Sequence, residues 1–161
     1  RYALVRDAVF RSHPWNCLLK RVTLSPDTAS PEFDYSNQFT LPTDPYCLRV
    51  LRLQDPDTVH KIEGRKLLCD DATIQLLYIA RVTDPNEYDQ LLIEALSSRM
   101  AMEVSYSLVN STSLTQLMET QFNTKIREAR FVDATEGTPA NITNQDQRLY
   151  AEGDIFIASR F

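Results

Sequence analysis

The stretch Tyr78-Ile79-Ala80-Arg81-Val82-Thr83-Asp84-Pro85-Asn86-Glu87-Tyr88-Asp89 changes the periodicity of the chain, and its reading decides the fold. Up to Val82 the apolar residues crowd together as in a buried strand. At Asp84 the chemistry becomes that of a helix start: Asp84 suits the N-cap, Pro85 the first helical position, and Glu87 completes a capping box. Tyr88, Leu91, Leu92, Ala95, Leu96, Met102, Tyr106 and Val109 then recur at the helical period, which predicts a helix over 85–110. Ser113-Leu114-Thr115-Gln116 is a second capping box. It opens a helix over 113–135 with Leu114, Leu117, Met118, Phe122, Ile126 and Ala129 on one face, ended by Gly137-Thr138-Pro139. The short link between the two helices makes them an antiparallel hairpin.

Upstream, residues 15–83 alternate short apolar runs with turn chemistry. The runs Cys17–Leu24, Gln38–Leu41, Cys47–Leu53, Val59–Glu63, Lys66–Cys69 and Ile74–Val82 read as strands. Ser25-Pro26-Asp27, Thr43-Asp44-Pro45, Asp55-Pro56-Asp57, Glu63-Gly64-Arg65 and Asp70-Asp71 read as their turns. Before them Tyr2, Val5 and Val9, with Leu4, Ala8 and Phe10, form a stripe on a helix over 2–12, which His13-Pro14 stops. The chain opens on Arg1 rather than Met, so further helical turns are expected upstream. The expected fold class is α+β: an antiparallel helical bundle of the first helix and the long hairpin, with an inserted antiparallel β region. Residues 1–136 form the single domain, and 137–161 an extended, polar C-terminal arm with an apolar end.

Composition bounds the function. The chain has 161 residues, is 43% hydrophobic and 24% charged, and so is neither disordered nor fibrous. A net charge of −5 opposes gripping nucleic acid by its phosphates. Its basic residues are 13 Arg against 4 Lys, and Arg is favoured where surfaces dock. Cys17, Cys47 and Cys69 are odd in number and too widely spaced for a zinc site, so they read as buried free thiols. No apolar run approaches the roughly 20 residues of a membrane-spanning helix, and no signal peptide opens the chain.

Catalytic chemistry is hard to write. His13 and His60 have no Cys or His partner at ligand spacing, and structural roles suit both. Asp55 with Asp57, and the pair Asp70-Asp71, are the nearest approach to clustered carboxylates, but each lies in a turn where Asp bonds its own backbone. Three glycines allow no phosphate loop, dinucleotide fingerprint or nucleophile elbow. Asn141-Ile142-Thr143 matches a glycosylation acceptor by coincidence of a polar tail. Met100 and Met102 with Tyr106 offer either a sticky surface or core filling, of which core filling is the expectation. A non-enzyme without metal or cofactor is expected. The alternatives are a small accessory enzyme using His60, Asp70 and Asp71, and a helical protein-binding module.

Several phrases also resemble one family, the adaptor or tail tubular protein A proteins of short-tailed bacteriophages. Arg6-Asp7-Ala8-Val9-Phe10-Arg11-Ser12-His13-Pro14-Trp15-Asn16 looks like its helix-to-sheet junction. Phe39-Thr40-Leu41-Pro42-Thr43-Asp44 before Cys47-Leu48-Arg49-Val50-Leu51 resembles its next strand pair. Tyr78 to Pro85 leading into Tyr88-Asp89 and Glu94-Ala95-Leu96, then Ser111-Thr112-Ser113-Leu114, are similar to its central helix and the turn into its last one.

The resemblance implies a virion protein of the tail or neck, assembled in the bacterial host cytoplasm. It would self-associate into a ring of about twelve copies between the portal protein and a tubular nozzle of the tail tubular protein B type. Genomic DNA would pass through the channel without specific binding, and no membrane is involved. An electronegative lumen, lined in part by Asp55, Asp57, Asp70 or Asp71, fits the acidic balance. The expected interface residues are Ile155, Phe156, Ile157 and Phe161 as apolar anchors, with Arg148 and Arg160 as polar clamps. The arm either hooks a neighbouring subunit, which is the expectation, or folds back on its own sheet. Deleting Asn141–Phe161 should therefore leave the domain folded by circular dichroism and weaken ring formation or portal docking; a truncated chain that assembles normally would refute the arm's role.

Overall fold

The computed structural model describes residues 1–136, so the expected arm, with Arg148, Ile155, Phe156, Ile157, Arg160 and Phe161, lies outside the described residues. The fold is α+β. Helix α1 spans Tyr2–Arg11, a single 3-10 turn follows at Asn16–Leu18, and six strands come next: β1 Leu19–Leu24, β2 Asn37–Thr40, β3 Cys47–Leu53, β4 Lys61–Glu63, β5 Lys66–Cys69 and β6 Ile74–Ala80. Helices α2, Gln90–Val109, and α3, Thr112–Thr135, complete it.

The expected β region is two small antiparallel sheets, ordered β1-β6-β3 and β2-β5-β4. Strand β6 is central in the first. It pairs Leu19 with Ile79 through Leu24 with Ile74 on one side, and Cys47 with Ala80 through Leu53 with Leu76 on the other. Its early residues alternate buried and exposed, whereas Tyr78, Ile79 and Ala80 are all buried, as both sides of the strand become covered. In the second sheet Gly64 turns β4 into β5 in a two-residue loop at φ 57°, a conformation that suits glycine at the first central position.

One core joins sheets and helices: Val9, Phe10, Trp15, Leu18, Phe39, Leu67, Ile79 and Leu92 all sit in it. Each such aliphatic or Phe side chain contributes about 2 kcal/mol by leaving water. Along α1 the expected stripe holds at Val5, Val9 and Phe10, while Tyr2 and Leu4 are exposed. Helices α2 and α3 lie along one another, Ser105 Oγ donating to Thr115 Oγ1 near the turn and Lys125 reaching Glu94 farther back, the spacing of an antiparallel pair.

The helix starts differ from the sequence reading. Asp84 does accept from Asn86 N, but only for a 3-10 turn at Pro85–Glu87. Tyr88 is then extended, because its ring packs edge-on to Phe10 at 5.2 Å and its hydroxyl donates to Val82 O at 2.8 Å. The chain restarts at Asp89, whose carboxylate accepts from Leu91 N and Leu92 N and caps α2. Asn110 ends α2 in the left-handed conformation at φ 53°. Ser111, not Ser113, caps α3, by accepting from Leu114 N, and so the helix starts at Thr112. Helix α1 ends at Arg11, and the fourth strand begins at Lys61 rather than Val59.

The link between β1 and β2 is pinned to the second sheet by Asp27. Its carboxylate accepts from Thr40 Oγ1 and pairs with Lys66 Nζ. That ammonium holds the Asp27 carboxyl below its ordinary value of 3.8. A lowered carboxylate stabilises the fold above its ordinary value and loses that contribution as pH falls through the lower, folded one. Lys66→Met should move the Asp27 titration, read from its carboxyl carbon by NMR, back up towards the ordinary value; an Asp27 that titrates alike in both proteins would show the pair to be idle.

Candidate functional site

Three parts of the described chain concentrate polar chemistry. The first is the corner where α1 gives way to the sheet. There His13 Nε2 lies 3.1 Å from Asp133 Oδ2, Asn16 N donates to Asp133 Oδ1 at 2.9 Å, and Asn16 Nδ2 donates to the Asp133 main-chain oxygen at 2.7 Å. Asp133 is only 6% exposed. Trp15, fully buried, stands edge-on to the His13 ring at 4.7 Å and donates from Nε1 to Val9 O. One turn earlier on α3, Arg130 donates to Ser12 Oγ at 3.1 Å, and burial lowers its pKa. The Ser12 hydroxyl donates to Val9 O at 2.7 Å, so its proton is committed to the backbone and not offered to His13. The arrangement is a clamp: Asp133 with His13 and Asn16, and Arg130 with Ser12, tie α3 to the helix-to-sheet corner, while the buried Nε of Arg130 has no partner among the described residues.

The second is a cleft of about 750 Å³ between α1, the edge strand β3 and the β4–β5 turn. Arg11, Arg49, Arg65 and Arg81 line it. The guanidinium carbons of Arg65 and Arg81 lie 4.0 and 4.2 Å from the centre of the Tyr46 ring, an attraction between cation and ring face. Arg65 donates to the carbonyls of Cys47, Leu41 and Pro42, and Arg11 to that of Leu48. Two of these carbonyls, of Cys47 and Leu48, belong to the start of β3, whose register also breaks twice, and so the donors blunt the beginning of an edge open to strand pairing. Asp7, the one carboxylate lining the cleft, bonds Arg81 at 2.7 Å and Arg6 at 2.8 Å.

The third is the turn end of the sheets. His60 Nδ1 lies 3.1 Å from Thr58 O, and Asp71 Oδ2 accepts from Thr58 Oγ1 at 2.7 Å. Asp70 is bonded elsewhere, to Ser36 N at 2.8 Å. A shallow cleft of about 480 Å³ takes in Asp55, Thr58 and Asp71, whereas His60 and Asp70 do not line it. Asp55 accepts from Asp57 N within its own turn, as the sequence suggested. The three residues of the enzyme alternative are thus not brought to one pocket.

Among the described residues no group of three or more His, Cys, Asp or Glu side chains could hold a metal ion. None of the described helices is long and apolar enough to cross a membrane. Cys17, Cys47 and Cys69 are free, Cys47 and Cys69 buried and Cys17 half-buried, and burial pushes all three thiols up, away from reactive thiolate. Met100 packs against the core, in line with the expected filling role, while Tyr106 is exposed. Sequence reasoning missed Asp133, Tyr46, Arg65 and Arg81. Asp133 alone left a signal, as a carboxylate continuing the apolar stripe of Ile126 and Ala129. No family model matches this chain, and no curated protein matches it.

Asp133→Ala should lower unfolding stability by about 2 kcal/mol, because it removes the charged acceptor shared by the Asn16 amide and the half-buried His13 ring. His13→Ala should cost less, and the double variant less than the sum, as in any pair that shares one network. Urea denaturation measures all three; an Asp133→Ala chain as stable as the wild type would show that the clamp does not hold the joint.

Proposed function

We propose that the chain is a structural virion protein of the tail tubular protein A kind, a ring-forming adaptor between the portal and the tail nozzle of a short-tailed phage. Its three helices act as one bundle, α1 joining the α2–α3 hairpin through contacts such as Arg1 with Glu103, and the two sheets are the insertion between them. It works by docking, without catalysis or cofactor, and genomic DNA passes through the ring unbound.

One observation carries this reading. Tyr106, Leu108, Val109 and Leu117, exposed by 53%, 77%, 58% and 60%, gather around the turn that joins α2 to α3. A helical hairpin whose free end is apolar suits insertion into a groove of a partner, because the helix backbone is already satisfied and only side-chain burial remains to be gained. In this reading that partner is the portal ring. The resemblance of the helix-to-sheet phrase from Arg6 to Asn16 supports the same assignment, since that phrase holds the clamp on which the hairpin is mounted.

The mass of the full chain in solution, alone and mixed with cognate portal, tests the proposal. Sedimentation should show a portal-bound ring of many copies, and Leu108→Glu with Leu117→Glu should abolish it while leaving the chain folded. A chain whose mass is indifferent to portal would overturn the reading.

A further inference from the structure

The arginine cleft and the acidic turns lie at opposite ends of one strand. Strand β3 begins at Cys47 beside Arg49, Arg65 and Arg81, and ends at Leu53, after which Asp55-Pro56-Asp57 turn into β4. Seven extended residues separate the two ends by ~20 Å. At one end four guanidinium groups face a single carboxylate, Asp7, which Arg6 also shares. At the other, the shallow cleft around Thr58 carries Asp55 and Asp71, with exposed Asp57 beside it; the nearest cations along the strands, Arg52 and Arg21, line a separate cleft next to it.

From this polarity we infer that the arginine cleft of one copy receives the Asp55-Pro56-Asp57 turn and Asp71 of the next, so that identical chains join head to tail. The inference rests on the ring reading above and gives it a contact surface. Charge complementarity within one sequence makes a second copy the occupant. A head-to-tail contact uses two unlike faces, and repeated it closes into a ring when the rotation between copies divides the circle. The turn is a suitable insert: Asp57 N is held by Asp55 and Asp71 by Thr58, so little order remains to be imposed on binding.

Other occupants fit less well. A small oxyanion asks for donors converging on one point, and here Arg65 and Arg11 already donate to the carbonyls of Leu41, Pro42, Cys47 and Leu48. Their charge remains, but it is spread along a broad wall that suits a broad acidic surface. A nucleic acid duplex would be repelled by a chain of net charge −5. On this inference Asp55, Asp57 and Asp71, three of the four carboxylates expected from the sequence to line a lumen, lie between copies.

Charge reversal tests this. Arg11→Glu with Arg49→Glu changes the cleft, and Asp57→Arg with Asp71→Arg changes the turn; the single changes Arg49→Glu and Asp57→Arg serve if either pair fails a thermal melt by circular dichroism. By sedimentation of the full chain at low salt, the wild type should associate and dissociate as salt rises. Each variant alone should associate about tenfold or more weakly. An equimolar mixture should recover association, because the native turn of one meets the native cleft of the other and the reversed pair also attract. Association that survives reversal, or a mixture that recovers nothing, would overturn this surface and leave the ring reading standing. A wild type that stays monomeric both alone and with portal would overturn both.

Discussion

Among the described residues Asp133 is the one charged side chain that is buried, and the fold hinges on it. Its carboxylate and its main-chain oxygen together accept from Asn16, and the second carboxylate oxygen faces His13, so the last turn of α3 is fastened to the corner between α1 and β1. Taking a carboxylate out of water is costly unless it is fully bonded, and for that reason the joint tolerates few arrangements. A purely apolar contact there would slide. The clamp therefore fixes how the hairpin leaves the β region, which the proposed docking role would need.

Much of the architecture was legible in the sequence because its punctuation is chemical. Prolines and aspartates separate the strands except at the β4–β5 turn, where Gly64 does so, and the helix breaks at His13-Pro14 and Asn110 follow from restricted backbone and from the left-handed cap. What was not legible depended on long-range packing. Asp84-Pro85 looks like a helix start from local rules, yet Tyr88 must stay extended to bury its ring against Phe10, which hands the cap to Asp89. Ser111 and Ser113 are equal as local caps, and the structure uses the first. The helical period also placed Tyr106, Val109 and Leu117 in the core, whereas the hairpin outruns the core and leaves them exposed. Periodicity tells which face a residue lies on, not whether anything lies opposite.

The polar surfaces were less legible still. His60, Asp70 and Asp71 are close in sequence and suggested chemistry, but Asp70 bonds Ser36 while His60 and Asp71 bond the main chain and side chain of Thr58, and the cleft beside Thr58 takes in neither His60 nor Asp70. Tyr46, Arg65 and Arg81 are scattered in sequence and converge only when the β4–β5 turn folds beside the start of β3 and the end of β6. A chain that is acidic as a whole thus carries a concentrated basic wall at one end of a strand and carboxylates at the other. In the proposed assembly the two ends serve neighbouring copies, and the apolar hairpin tip serves the portal.

Single-particle imaging of the chain assembled on its portal bears most directly on that account. It predicts a closed ring of a dozen or so copies with the hairpin tips against the portal and Arg49 of each copy beside Asp57 of the next. Isolated monomers on the grid, or a ring in which the hairpin tips face solvent, would contradict it.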